Sequence, residues 1–327
     1  MRAILVKTPG DVSQLYIGEV ERPVPGPQEL LVRVKATALN RADLLQRRGL
    51  YPPPPGESEI LGLEMAGIVE ETGPRCSRFR PGDRVFGLLA GGGYAEYVTL
   101  HEKMAMPIPP NLDFPRAAAI PEAFLTAYQA LFWLGGLQPG HTVLIHAGAS
   151  GVGTAAIQLT SEAGAKAIVT AGSEAKLKAC HELGAMAGIN YRSGPFAPEV
   201  LKLTGHAGVH IILDFVGAPY LEQNLRCLAT DGRIIVLSLL GGRVADNFDL
   251  RPLMQKRARI EGSTLRNRPL DYKIRLTEAF SQYALPRLAD GRLKPVVDKI
   301  FKWEDVARAH EYMEANKNIG KIVLTLT

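Results

Sequence analysis

The sequence predicts an α/β protein of two parts, a doubly wound parallel sheet and a mainly antiparallel β-barrel domain completed by both ends of the chain. Three observations carry that reading. An apolar run enters a glycine turn and then a helical pattern at Leu144-Ile145-His146-Ala147-Gly148-Ala149-Ser150-Gly151-Val152-Gly153-Thr154-Ala155-Ala156. After it, apolar runs at 167–171, 187–191, 209–214 and 233–237 alternate with helix-like segments, as crossovers covering both faces of a parallel sheet require. Before residue 120 the pattern is different, with short alternating strands and proline turns.

In chain order, residues 1–7 read as a first strand rather than a signal peptide. Strands follow at 30–36, 67–71 and 94–98, and a turn at 81–87 feeds a further strand. The parallel unit occupies 121–265. Beyond it, a helix at 271–288, a strand at 296–300, a helix at 304–316 and a strand at 321–324 return to the first domain, which comprises 1–120 and 266–327. A chain of 327 residues suits two domains at about 150 residues each. The cleft between them is the expected reaction site.

The glycine turn carries chemistry. Gly151, Gly153 and Ala156 give G-x-G-x-x-A spacing, in which the first glycine makes a tight turn, the second admits a pyrophosphate, and the alanine lets helix and strand pack closely. The helix N-terminus, with Ser150 to Gly153, then receives phosphate charge on unbonded N–H groups. A Rossmann dinucleotide site follows. In an NAD site the second strand usually ends in an acid that binds the ribose 2′-hydroxyl. Here it ends in Ala171-Gly172-Ser173, so nothing at Gly172 repels a 2′-phosphate, and Ser173, Lys176 and Tyr191 can donate to one. NADPH is the expected cofactor. Glu174 suits the first turn of the next helix, where an acid complements the dipole. The plainer alternatives are a solvated Lys176 and a Ser150 bonded only to its own turn.

Composition narrows the class. Hydrophobic residues at 46% and charged ones at 22% suit a globular protein, and no run approaches the roughly 18 apolar residues of a membrane span, so a cytoplasmic protein is expected. Net charge is +5, but the basic residues are scattered, which makes RNA binding a weak expectation. The densest basic group, Lys256, Arg257 and Arg259 with Arg266 and Arg268, is either a solvated helix end or faces the cleft. Cys76, Cys180 and Cys227 are too few and too far apart for a disulfide framework or zinc knuckle, and no histidine pair has metal-ligand spacing. His181 reads as a surface helix residue.

The order of barrel, Rossmann unit and returning C-terminus resembles the medium-chain dehydrogenase/reductase superfamily. The segments Ala38-Leu39-Asn40-Arg41-Ala42-Asp43, Leu61-Gly62-Leu63-Glu64, Ile120-Pro121-Glu122-Ala123-Phe124-Leu125-Thr126-Ala127 and Glu311-Tyr312-Met313-Glu314-Ala315-Asn316 resemble its zeta-crystallin-like quinone oxidoreductase branch. The resemblance implies a GroES-like barrel domain and covers nearly the whole chain. The zinc alcohol dehydrogenases of that superfamily have a cysteine where Asn40 stands, a histidine where Leu63 stands, and a four-cysteine lobe. Leucine cannot ligate zinc, so a metal-free enzyme is expected, acting on acceptors that need no Lewis acid.

The resemblance implies hydride transfer from NADPH to quinones, ortho-quinones above all, in the interdomain cleft. Reduction of activated C=C bonds in alkenals or enones is the alternative, and a nucleotide-regulated RNA-binding or structural protein is the alternative of another class. It further places Asn40 and Thr126 near the nicotinamide, Tyr51 in the acceptor pocket, and Ser150 on cofactor or substrate. Val216, Gly217, Leu239, Leu240, Gly241, Leu265 and Asn318 would close around the nucleotide. A homodimer is implied, with the apolar stretch 236–239 suited to pairing across its axis. Each residue has a plainer reading: Asn40 with Asp43 as a helix cap, Tyr51 as a surface residue before Pro52-Pro53-Pro54-Pro55, and Glu64 as a general acid or as the partner of an arginine.

Overall fold

The computed structural model of the chain describes residues 1–246 and 248–326. The backbone divides into two units, Met1–Leu125 with Leu265–Thr327, and Thr126–Thr264.

The first unit opens with the antiparallel pair β1 (Arg2–Val6) and β2 (Leu15–Glu19). The ten-residue β3 (Glu29–Ala38) is its spine, with β4 (Glu64–Thr72) on one side and β6 (Tyr97–His101) on the other. From β4 the sheet continues through β5 (Arg84–Leu88) to β7 (Ala105–Pro107). The chain's end supplies β14 (Val297–Lys302) and β15 (Lys321–Thr325), a parallel pair whose β15 runs antiparallel to β3 at Ala36 to Ala38. Partners on both edges explain why β3 is buried over most of its length, with Leu30, Val32, Ala36 and Ala38 fully inaccessible. Helices α1 (Arg41–Arg47), α2 (Phe114–Ala118), α9 (Leu270–Ala289) and α10 (Val306–Glu314) complete this unit. The expected strand at 94–98 begins only at Tyr97. Tyr94 instead gives its N–H to Leu61 O and its carbonyl to Ile4 N, a loop crossing rather than a ladder.

Helix α3 (Pro121–Tyr128) leads into the second unit. There β8 (Thr142–Ile145), α4 (Gly151–Glu162), β9 (Lys166–Ala171), α5 (Glu174–Glu182), β10 (Ala187–Asn190) and α6 (Phe196–Leu203) make the first half. The second half is β11 (Val209–Asp214), α7 (Leu221–Cys227), β12 (Leu228–Val236), α8 (Arg251–Gln255) and β13 (Arg259–Gly262). All six strands are parallel, in the order β10-β9-β8-β11-β12-β13. Numbered along the unit this is 3-2-1-4-5-6, the Rossmann order, whose switch point falls between β8 and β11. Leu144, Ile168, Ile212 and Ile234, one from each central strand, are fully buried in a single core.

The stretch 236–239 does not form a sheet edge. Val236 ends β12 inside the sheet, and Leu237 N turns back onto Asp214 O. The edge is β13, every residue of which is exposed.

Candidate active site

The strand-to-helix turn lies at 147–150 rather than at Gly151. Ser150 N bonds Ala147 O at 2.8 Å, and Ala147 takes a positive φ of 48°. Gly151 and Gly153 already belong to the first turn of α4. The absence of a side chain at Gly153 serves packing, because a Cβ there would stand 2.5 Å from the carbonyl oxygens of Ala147 and Gly148. Ser150 caps α4, its Oγ accepting from Gly153 N at 3.0 Å. That is the plainer of its two expected roles, and it leaves the hydroxyl hydrogen to donate elsewhere. The N–H groups of Gly151 and Val152 have no hydrogen-bond partner among the described residues, so the helix end offers two donors to an anion. Asp214, at the end of β11, shapes the neighbouring loop by accepting from Val216 N and Gly217 N. Leu239, Leu240 and Gly241 follow β12, with Leu240 N and Gly241 N bonded to Phe215 O and Val216 O.

Below these loops, His146 Nε2 meets Asn224 Oδ1 at 2.7 Å, and Asn224 Nδ2 donates to Asp214 Oδ2 at 3.1 Å. Burial holds the His146 pKa below its usual value. A buried amide thus fixes the carboxylate that in turn fixes the 214–217 loop.

At the second strand end, Ser173 caps α5 and Glu174 occupies its first turn. Gly172 lies under Tyr191: a Cβ added there would meet Tyr191 Oη at 2.6 Å and Arg192 Nε at 3.2 Å. Arg192 thus joins Ser173, Lys176 and Tyr191 on the segments around Gly172, a cation that sequence spacing did not single out. Thr126, Ser150 to Gly153, Gly172, Ser173, Lys176, Tyr191, Val216, Gly217 and Leu239 to Gly241 all belong to the second unit; Asn40, Tyr51, Leu265 and Asn318 belong to the first. Thr126 Oγ1 is buried with no hydrogen-bond partner, as a hydroxyl kept for a ligand would be. Asn318 is turned to its own loop, Nδ2 donating to Gly320 O at 2.7 Å.

The first unit gathers charges that the sequence scatters. Glu64 is fully buried on β4, and its partner is a lysine, not the expected arginine: Lys321 Nζ stands 2.7 Å from Oε1. The same ammonium donates to Leu39 O at 2.7 Å and Asn40 Oδ1 at 2.6 Å, so three oxygens consume its three donors. Asn40 Nδ2 donates to Glu64 Oε1 at 2.9 Å. The cap reading of Asn40 therefore holds in one respect: Asp43 Oδ2 accepts from Asn40 N at 2.7 Å, while the Asn40 amide serves Glu64 and Lys321. Glu64 Oε2 also accepts from Glu122 N at 2.8 Å at the start of α3. Burial first, then the Glu64 charge, pushes the Glu122 carboxyl up to about 8. Burial likewise raises Asp43 to about 6 despite N–H bonds from Asn40 and Gly62.

Behind Asp43 runs a buried chain whose polarity is fixed by chemistry. Arg47 Nη1 lies 3.1 Å from His310 Nδ1, and an arginine can only donate. Nε2 of a neutral His310 therefore carries the hydrogen toward Tyr94 Oη at 3.3 Å, and the Tyr94 hydroxyl points to Asp43 Oδ2 at 3.5 Å. Burial and the Arg47 charge depress His310 to about 3, keeping it neutral.

The family profile described as "Alcohol dehydrogenase GroES-like domain" matches residues 26–110, and "Zinc-binding dehydrogenase" matches 151–282. The human protein named quinone oxidoreductase is 33% identical over 332 residues, covering 100% of this chain and 98% of that one. The chain belongs to the zeta-crystallin-like quinone oxidoreductase branch of the medium-chain dehydrogenase/reductase superfamily. Among solved structures, the Escherichia coli quinone oxidoreductase complexed with NADPH superposes with a TM-score of 0.89 at 29% identity, each chain covered completely. An NAD-dependent alcohol dehydrogenase superposes with a TM-score of 0.89 at 34% identity, again with complete coverage of both.

The Lys321 ammonium sits between Asn40 and Glu64, Leu63 is a buried core residue, and no group of three or more His, Cys, Asp or Glu suited to a metal ion occurs among the described residues. The basic group of the sequence also separates. Lys256 caps α7 through the carbonyls of Leu225, Arg226 and Leu228, and Arg257 pairs with Asp231 at the surface. Arg266 instead is buried in the first unit, its guanidinium carbon 5.3 Å from the Tyr51 ring centroid. Lys321 and Arg192 carried no local motif, and Glu122 and Arg266, though within segments the sequence singles out, were given no role there; only the fold assembles them.

Proposed function

We propose that the chain is an NADPH-dependent, zinc-independent reductase of quinones. The observation that carries this reading is the Asn40-Glu64-Lys321 knot. Its cation is a saturated ammonium, which polarises no substrate, so the acceptor must itself be electron-poor. Bound NADPH supplies the hydride from its nicotinamide C4. The protein's part is to bind and orient. The N–H groups of Gly151 and Val152 hold the pyrophosphate, Ser173, Lys176, Tyr191 and Arg192 hold the 2′-phosphate, and the Thr126 hydroxyl takes a polar group of the cofactor. Glu122, protonated at neutral pH, stores a proton near Tyr51, whose own hydroxyl is held un-ionised by burial. A homodimer through the exposed β13 edge completes the proposal.

The test is oxidation of NADPH and NADH side by side, with an ortho-quinone and an enone as acceptors and a metal chelator present, on the wild type and Lys176→Ala/Arg192→Ala. Chelator-resistant turnover of the quinone with NADPH preferred is expected. The double variant should raise the NADPH KM by about tenfold to a hundredfold and leave NADH unchanged, since the two contacts, weakened by solvent screening at this accessible strand end, together contribute about 1.4–2.8 kcal/mol. Turnover of the enone alone would transfer the reading to activated C=C bonds. Tight, salt-sensitive RNA binding without turnover would replace it.

A further inference from the structure

Four cations are buried in the first unit, Arg47, Arg266, Lys273 and Lys321, and two of them are spent. Lys321 has three oxygen acceptors. Arg47 serves Gly10 O, His310 Nδ1 and Glu314 Oε1. Arg266, 4% exposed in the turn that follows Leu265, is different. Its Nε donates to Ala90 O at 2.7 Å and its Nη2 to Gln46 Oε1 at 2.8 Å, both neutral acceptors. Its Nη1 is buried with no partner at all, the one cationic nitrogen so placed among the described residues.

Such an arrangement is costly, because a buried charged donor left unmade forfeits its hydration without replacement. The two anchors remove the guanidinium's rotational freedom, so the open Nη1 points in a fixed direction beside the Tyr51 ring. Asp43, Glu57 and Glu122 act on Arg266 only through space, and none is paired with it. A rigid, buried, un-neutralised guanidinium with one free amino group is built to receive an oxygen that carries or acquires negative charge.

We propose that Arg266 is a substrate-contacting residue of this reductase, its Nη1 donating a hydrogen bond to the acceptor carbonyl oxygen as that oxygen becomes an oxyanion. The inference rests on the reductase reading above. When a hydride from a reduced nicotinamide adds to a quinone or a conjugated enone, one C–H bond breaks and another forms. The displaced π pair comes to rest on the carbonyl oxygen, which later takes a proton from the Glu122 carboxyl or from water; in a quinone the proton left on the ring carbon then passes through water to the second oxygen, giving the hydroquinone. Arg266 selects acceptors whose reduction ends in this way, and Tyr51 packs its ring against the same guanidinium so that Arg266 cannot swing to solvent. Compounds whose reduction places no charge on oxygen gain nothing from it.

The experiment uses 4-nitrophenol, a product-like phenol whose ionisation is read by its absorbance, together with quinone kinetics, on the full chain and on Arg266→Met and Arg266→Lys. The wild type should bind the phenolate and lower the probe's apparent pKa by about one unit. Arg266→Met should abolish that shift and lower quinone kcat by 10² or more, and Arg266→Lys, which keeps the charge but not the fork, should recover only part of both. A wild type that does not lower the probe's pKa overturns the inference even if the methionine variant fails to fold. Quinone turnover that survives Arg266→Met within twofold overturns it while the reductase reading stands. Arg266-dependent phenolate binding in a protein that reduces neither quinone nor enone upholds the oxyanion site and fells the reductase reading instead.

Discussion

Lys321 shows how a single residue can decide both the stability and the chemistry of a site. Its ammonium is buried against Glu64 with two further oxygen acceptors, so replacing it by methionine would strand a buried carboxylate. Breaking such a pair from one side costs about 3–5 kcal/mol, whereas replacing both partners by neutral groups is often tolerated. Lys321→Met is therefore expected to lose stability on that scale in urea unfolding, and Glu64→Gln with Lys321→Met to regain a substantial part of it. Equal losses in the single and double variants would show that the pair contributes nothing as a pair. None of this is visible in the sequence. Lys321 lies 281 positions from Asn40, in a strand whose pattern announces only apolar burial. What the sequence does expose at the residue scale is local: the bond of Ser150 to its own turn and the first-turn position of Glu174 rest on neighbours within three residues.

The elements were legible for the same reason. Strand alternation, the glycine turn and helix caps are short-range signals, and β9, β11 and α9 fall within a residue or two of where periodicity puts them. The misreadings occur where a long-range partner overrides the local pattern. The apolar stretch 236–239 is expected to pair across a dimer axis, yet only Val236 of it is in a strand, and β13 docks beside β12 as the outer strand. Arg259 and Glu261 give β13 a charged appearance that conceals its exposed Ile260. The second unit also exposes Leu239, Leu240, Val244, Leu250 and Met254, all on the segment between β12 and β13. If β13 is the contact between two copies, Ile260→Lys should convert a dimer into a monomer in light scattering at micromolar concentration without changing the fold by circular dichroism. A wild type that is already monomeric, or a variant that stays dimeric, rules that edge out.

At the scale of the whole molecule, the buried His310 and Asp43 and the half-buried Glu122 give stability an unusual dependence on pH. His310 stays neutral in the fold down to about 3, against an ordinary 6.5, so the unfolded chain binds the extra proton between those values and stability rises with pH there. Asp43, raised from 3.8 to about 6, does the reverse: the fold holds the proton, and stability falls as pH climbs through that window. The two nearly cancel between pH 4 and 6. Glu122, raised from 4.5 to about 8, is left uncompensated, and above pH 6.5 it is the only one of the three still titrating. The groups acting on it are Glu64 from β4, Lys321 from β15, Asp43 from α1, and Arg266, with Tyr51 also coupled to it. Stability should therefore decline from pH 6.5 to 8 by at most about 1.4 kcal/mol per pH unit, the full slope for one proton. Glu122→Gln, which cannot ionise, should flatten that decline and become the more stable protein at pH 8. Urea unfolding at half-unit steps of pH reads the difference directly. Parallel curves for the two proteins would mean that Glu122 ionises in the fold as readily as in the unfolded chain, and its place as a proton store in the reductase would fall with it.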